Sequence, residues 1–202
     1  MHTRFMPALA CAVAACLTIV TLDISAARAQ SMRTTDASGF AAVAFPYIDE
    51  VRIGAFTHQL GGDHNEHGVD VNTEILFGKI GTPRGDYLMD YFLRPRVHLG
   101  ADINTNGDTS LGYFGLTWDM PLGKHFFLEN SFGGAVHNGH LAKAPDHNGY
   151  GCRVDFHESA SVGIHLTERW DLMATIDHMS NAGLCSENRG LTNAGLRLGY
   201  KW

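Results

Sequence analysis

The chain has 202 residues, 15 basic and 21 acidic, for a net charge of −6, which excludes the basic footprint that a nucleic-acid partner needs. Beyond residue 29 no stretch approaches the ~18 consecutive apolar residues of a spanning helix. A mature chain integral to a membrane must therefore cross it as a closed barrel, and the length suits one domain.

Taken in order, the chain opens with Arg4, an apolar run over residues 6–22, and the small-x-small triplet Ala27-Arg28-Ala29. That is the pattern of a cleaved signal peptide, residues 1–29. Removing Arg4, Asp23 and Arg28 with it leaves 13 basic and 20 acidic groups, a net −7. Residues 30–50 read as an N-terminal lead-in, with Pro46 marking a bend.

From residue 51 the pattern has a period of two. Strands are predicted over 51–60, 69–80, 91–103, 110–120, 125–136, 153–166, 170–179 and 191–202. Their joints carry turn chemistry, among them Thr82-Pro83-Arg84-Gly85, Asn104 to Asp108 and Pro121-Leu122-Gly123. Strands of this length suit a tilted membrane crossing. The fold predicted for 51–202 is all-β, an eight-stranded antiparallel up-and-down transmembrane barrel.

The last strand carries the clearest alternation: Ala194, Leu196, Leu198, Tyr200 and Trp202 against Gly195, Arg197, Gly199 and Lys201. Periodicity leaves open whether the apolar face points into a soluble barrel or out to lipid. The terminal Trp202 favours lipid, since outer-membrane barrels commonly end in an aromatic residue.

With both termini in the periplasm, the connections 61–68, 104–109, 137–150 and 180–190 lie outside. Cys11 and Cys16 leave with the signal, and folding 153–179 about the turn at 167–169 brings Cys152 opposite residue 184 or 185. Cys152 and Cys185 are thus a disulfide candidate, the alternative being two free thiols.

On the seventh strand, Leu172, Ala174, Ile176, His178 and Ser180 share one face. If the aliphatic residues meet lipid, so do His178 and Ser180. A neutral imidazole can take a proton from a serine hydroxyl and return it to a leaving alcohol. Asn181 and the backbone amides of Ala182 and Gly183 can then stabilise an oxyanion. The bland alternative is a rim histidine and serine bonded to water or headgroups.

Other clusters carry less. Asp102 to Asp108 begins like a calcium loop, but Tyr113 stands where a bidentate Glu is needed. Asp63 to His67 and His137 to His140 lack the order of a zinc peptidase. Asp155, His157, Ser159 and His165 would fill a polar lumen too narrow for a pore. The sequence carries no metal motif and no sign of a cofactor.

The run His178-Met179-Ser180-Asn181-Ala182-Gly183-Leu184, then Asn188-Arg189-Gly190-Leu191 and the closing Gly195 to Trp202, resembles the PagL-like lipid A 3-O-deacylase family, related to acyloxyacyl hydrolases. The resemblance implies an outer-membrane serine esterase that remodels lipopolysaccharide by removing the 3-O-linked acyl chain of lipid A. It implies His178 as general base, Ser180 as nucleophile, and Asn181 with Gly183 as oxyanion donors. The family's histidine-orienting glutamate falls on Thr192 here, leaving Thr192 or Glu187 to orient the ring. That departure keeps a second reading in view, a catalytically silent structural or adhesive barrel. The expected partners are lipid A and the outer membrane, with a homodimer left open.

Overall fold

Along β7 (Trp170–Ser180) outward and inward side chains alternate without a break, and the faces are inverted relative to a soluble protein. Ile53, Phe114, Val162 and Leu196 are exposed, whereas Arg52, Glu74, Glu129 and Arg197 are buried. Apolar outside and charged inside is the partition that lipid imposes on a closed barrel. The soluble-barrel alternative is thereby excluded, and the chain is an outer-membrane barrel.

The computed structural model describes residues 47–61 and 65–202. The signal peptide and nearly all of the lead-in lie outside the described residues. The strands are β1 (Ile48–Thr57), β2 (Val69–Lys79), β3 (Arg96–Asn104), β4 (Leu111–Leu122), β5 (Phe126–His137), β6 (Val154–His165), β7, and β8 (Leu191–Lys201). Each pairs antiparallel with its chain neighbours, and β8 pairs with β1 to close the barrel. Closure leaves no sheet edge in the bilayer.

Two expected boundaries are corrected. The first strand starts at Ile48, three residues before its expected start at 51, and Glu50 points inward to accept from Arg52 Nε at 2.7 Å. Residues 91–95 are not strand. A helix, α1 (Tyr87–Leu93), occupies the connection between β2 and β3. Asp86 caps it, accepting from Met89 N at 2.9 Å, and Pro95 ends it. The apolar residues read as strand, Phe92 and Leu93, are exposed with Leu88 and Met89, and Tyr91 Oη donates to Asn130 Oδ1 on the outer wall at 2.6 Å.

The lumen is a packed polar core. Arg52 bonds Glu50, Glu74 and Glu129; Arg96 bonds Glu50 and pairs with Asp49. Arg197 donates to Asn72 Oδ1 and Tyr113 Oη and sits over the Phe56 ring. Buried guanidinium groups persist only with such partners.

Candidate active site

At the end of the barrel away from the termini, alternation brings His178 and Ser180 to the outer face of β7, both half-buried. Asp177 and Met179 point inward between and beside them. His178 lies in one cross-strand row with Glu158 on β6 and Thr192 on β8.

His178 Nδ1 and Thr192 Oγ1 are 2.8 Å apart. With Nδ1 protonated, Thr192 accepts and Nε2 keeps the lone pair that a general base needs. The ring extends over Gly190, where a Cβ would stand 2.9 Å from Nε2 and nearer still to Cε1. Continuing the β7–β8 register one step past Met179 and Leu191 puts Gly190 beside Ser180. No hydrogen bond joins Ser180 Oγ to the imidazole in this state. Such contacts often close only around substrate.

The turn after Ser180 is held from below. Asn181 is buried, its Nδ2 donating to the carbonyls of Tyr150 and Glu187 at 2.6 and 2.7 Å. Its Oδ1 accepts from Gly183 N at 2.9 Å and Cys185 N at 3.4 Å. Asn181 N in turn donates to Asn188 Oδ1 at 3.0 Å. The Asn181 carboxamide and the Gly183 amide, expected as oxyanion donors, are thus engaged in building the turn. Ala182, at a left-handed φ of 54°, keeps an N–H without a partner among the described residues.

Beneath this turn the mouth is closed by inward-folded polar groups. Tyr150 Oη donates to Glu66 Oε2 at 2.9 Å, and His58 bridges Asp70 at 2.8 Å and Glu66 at 3.1 Å. Burial alone would lower the His58 pKa, but hydrogen bonds to both carboxylates outweigh it and raise it to about 9. Burial would likewise raise that of Glu66, yet bonds from His58, Thr109 and Tyr150 bring it below the usual range. Cys152 and Cys185 are joined by a disulfide with Cα atoms 5.8 Å apart, fastening the 180–190 loop to the base of β6.

Glu187 lines a shallow cleft with Lys143, Asn148, Gly149, Asn188 and Arg189 and makes no hydrogen bond to His178. Glu158 was missed in the sequence. Alternation along β6 places it on the apolar face with Val154, Phe156 and Val162, a position where a carboxylate needs a reason. Next to its row, Ala160, Ile176 and Ala194 form the following outer row. They open a groove of about 610 Å³ running down the wall to Tyr91 of α1.

Residues 68–201 match the profile of the family described as lipid A 3-O-deacylase (PagL). The crystal structure of the outer membrane enzyme PagL superposes with a TM-score of 0.56 at 15% identity, covering 75% of this chain and 99% of that one. Neisserial surface protein A gives 0.47 at 12% identity, over 76% and 96%. The Yersinia pestis outer membrane protein Ail gives 0.45 at 9%, over 77% and 99%. At these identities the likeness is one of fold. No curated protein matches significantly.

Proposed function

The chain belongs to the lipid A 3-O-deacylase (PagL) family, and from that premise we propose that it is an outer-membrane serine esterase that hydrolyses the 3-O-linked acyl chain of lipid A. The end bearing the site is read as extracellular, which sets it at the leaflet where lipid A resides. The observation that carries the reading is the outward placement of His178 and Ser180 on one strand face, with His178 Nδ1 bonded to Thr192.

On this reading Ser180 Oγ attacks the ester carbonyl while His178 Nε2 takes its proton. The tetrahedral oxyanion is met by the Ala182 N–H. Collapse expels the sugar 3-oxygen, which recovers the proton from the imidazolium and leaves as the alcohol. Water, deprotonated by the same imidazole, then attacks the acyl-serine; Ser180 Oγ is expelled and takes the proton back from the imidazolium as the free fatty acid leaves. The apolar groove below the site, where Ala160, Ala174 and Ala194 lie among larger side chains such as Leu128 and Ile176, accepts the acyl chain along the wall. Glu158 is the cross-strand neighbour of His178 on the same outer face. Thr192 fixes the tautomer by a neutral hydrogen bond, weaker than a charge-assisted one.

The test is expression of wild type and Ser180→Ala in an outer membrane whose lipid A is fully acylated. Wild type is expected to yield lipid A lighter by one hydroxyacyl group, and Ser180→Ala to leave it intact. Identical mass spectra would defeat the enzyme reading in favour of a silent barrel.

A further inference from the structure

Behind β7, on the side of the wall opposite His178, three inward side chains converge. Asp102 of β3, His157 of β6 and Asp177 of β7 are 0, 1 and 2% exposed, and one ligand atom of each lies within 4.8 Å of the others. Asp102 Oδ2, Asp177 Oδ2 and both ring nitrogens of His157 have no hydrogen-bond partner among the described residues. Unsatisfied buried groups of this kind cost free energy unless something binds them.

Charge points to what that something is. The guanidinium of Arg52 is committed to Glu50, Glu74 and Glu129, that of Arg96 to Asp49 and Glu50, and that of Arg197 to Glu74. None of the described ion pairs reaches Asp102 or Asp177. Two carboxylates thus share a buried interior with a neutral-capable imidazole; the charge of Arg197 reaches them from a distance, but no cation is in direct contact with either among the described residues.

The surroundings also hold the ligands in place. Asn72 Nδ2 donates to Asp102 Oδ1 at 2.6 Å, leaving Oδ2 free. The Tyr113 ring stacks on His157 with centroids 4.3 Å apart and planes at 14°, which sets the imidazole plane. Outer contacts of this type orient metal ligands.

We propose that Asp102, His157 and Asp177 bind one divalent transition-metal ion of the zinc class inside the barrel. Ligand distances of ~2.0–2.2 Å put donor atoms roughly 3.4 Å apart, so small side-chain rotations draw the three together. An imidazole in the set favours zinc and its neighbours over calcium, which prefers oxygen alone. The ion neutralises the carboxylates and ties β3, β6 and β7 together directly behind His178. No sequence motif announces the site, because its three ligands come from separate strands.

The experiment uses tag-free mature barrel refolded in detergent micelles, loaded with Zn²⁺ and stripped of free metal on a chelating resin. Mass spectrometry of metal content should find about one zinc per folded chain, with X-ray absorption at the zinc edge showing imidazole and carboxylate donors. Asp177→Asn and His157→Phe should each retain at least tenfold less, and only wild type should gain thermal stability from zinc. Folded wild type that keeps no zinc above those variants overturns the proposal, as does preferential retention of calcium. Should the variants not fold, the wild-type spectrum decides: a zinc edge without imidazole scattering overturns it too.

Discussion

The imidazole of His178 occupies the space that a side chain at Gly190 would need: a Cβ there would stand 2.9 Å from Nε2. Glycine at 190 is therefore a condition for the ring's position beside Ser180. Gly190→Ala should push the imidazole off Gly190 and lower kcat by roughly 100-fold, the scale of a 1 Å misplacement. Folding, followed by heat-modifiable gel migration, should remain as in wild type. A variant with unchanged kcat would disconnect the ring's placement from turnover.

Thr192 Oγ1 is hydrogen-bonded to His178 Nδ1 across the β7–β8 pair. Thr192→Val should reduce kcat about tenfold with little change in KM, since it removes only the group that fixes the ring. Thr192→Glu should raise kcat, because a carboxylate makes a stronger, charge-assisted hydrogen bond to the imidazolium formed during turnover. Unchanged kcat in both variants would place the ring out of reach of residue 192.

Glu158 faces His178 from the other side, one cross-strand pair away. Glu158→Gln should lower activity by a factor of about 5–10, since it removes the carboxylate that shares a cross-strand row with the imidazole. Glu187→Gln serves as the contrast and should leave activity unchanged. Equal effects from the two would remove Glu158 from the site.

The mouth network makes stability depend on pH with a definite sign. The folded pKa of His58 is raised to about 9, against ~6.5 unfolded. Its contribution is whole below ~6.5 and fades as pH climbs through 9. Glu66, shifted downward, contributes above the ordinary carboxylate pKa and loses that contribution in acid. Urea unfolding in micelles should therefore show declining stability between about pH 7 and 9.5. His58→Gln should flatten that decline, and a slope retained in the variant would assign it elsewhere.

Much of this molecule is legible in its residues. In β8 strict alternation from Ala194 to Trp202 marks both faces, and the inverted faces of the barrel follow from lipid on one side and a narrow interior on the other. The helix at 87–93 was hidden because Tyr91, Phe92 and Leu93 satisfy strand and helix preferences alike. Only the Asp86 cap and Pro95 separate the two. Glu158 was visible in principle, as a carboxylate in phase with Val154 and Phe156. The engagement of Asn181 was not, since its partners Tyr150 and Glu187 are brought beneath it by loop packing rather than by spacing. The trio of Asp102, His157 and Asp177 depends on barrel closure itself.

His178 and Ser180 open sideways from the wall, not upward from the mouth. A molecule that meets them arrives by lateral diffusion in the plane of the bilayer. On the proposed reading, encounter is a two-dimensional event, governed by how many target lipids occupy each unit of surface and by how fluid that leaflet is. Dilution with inert lipid or rigidification of the leaflet would slow it, while adding bulk volume would not.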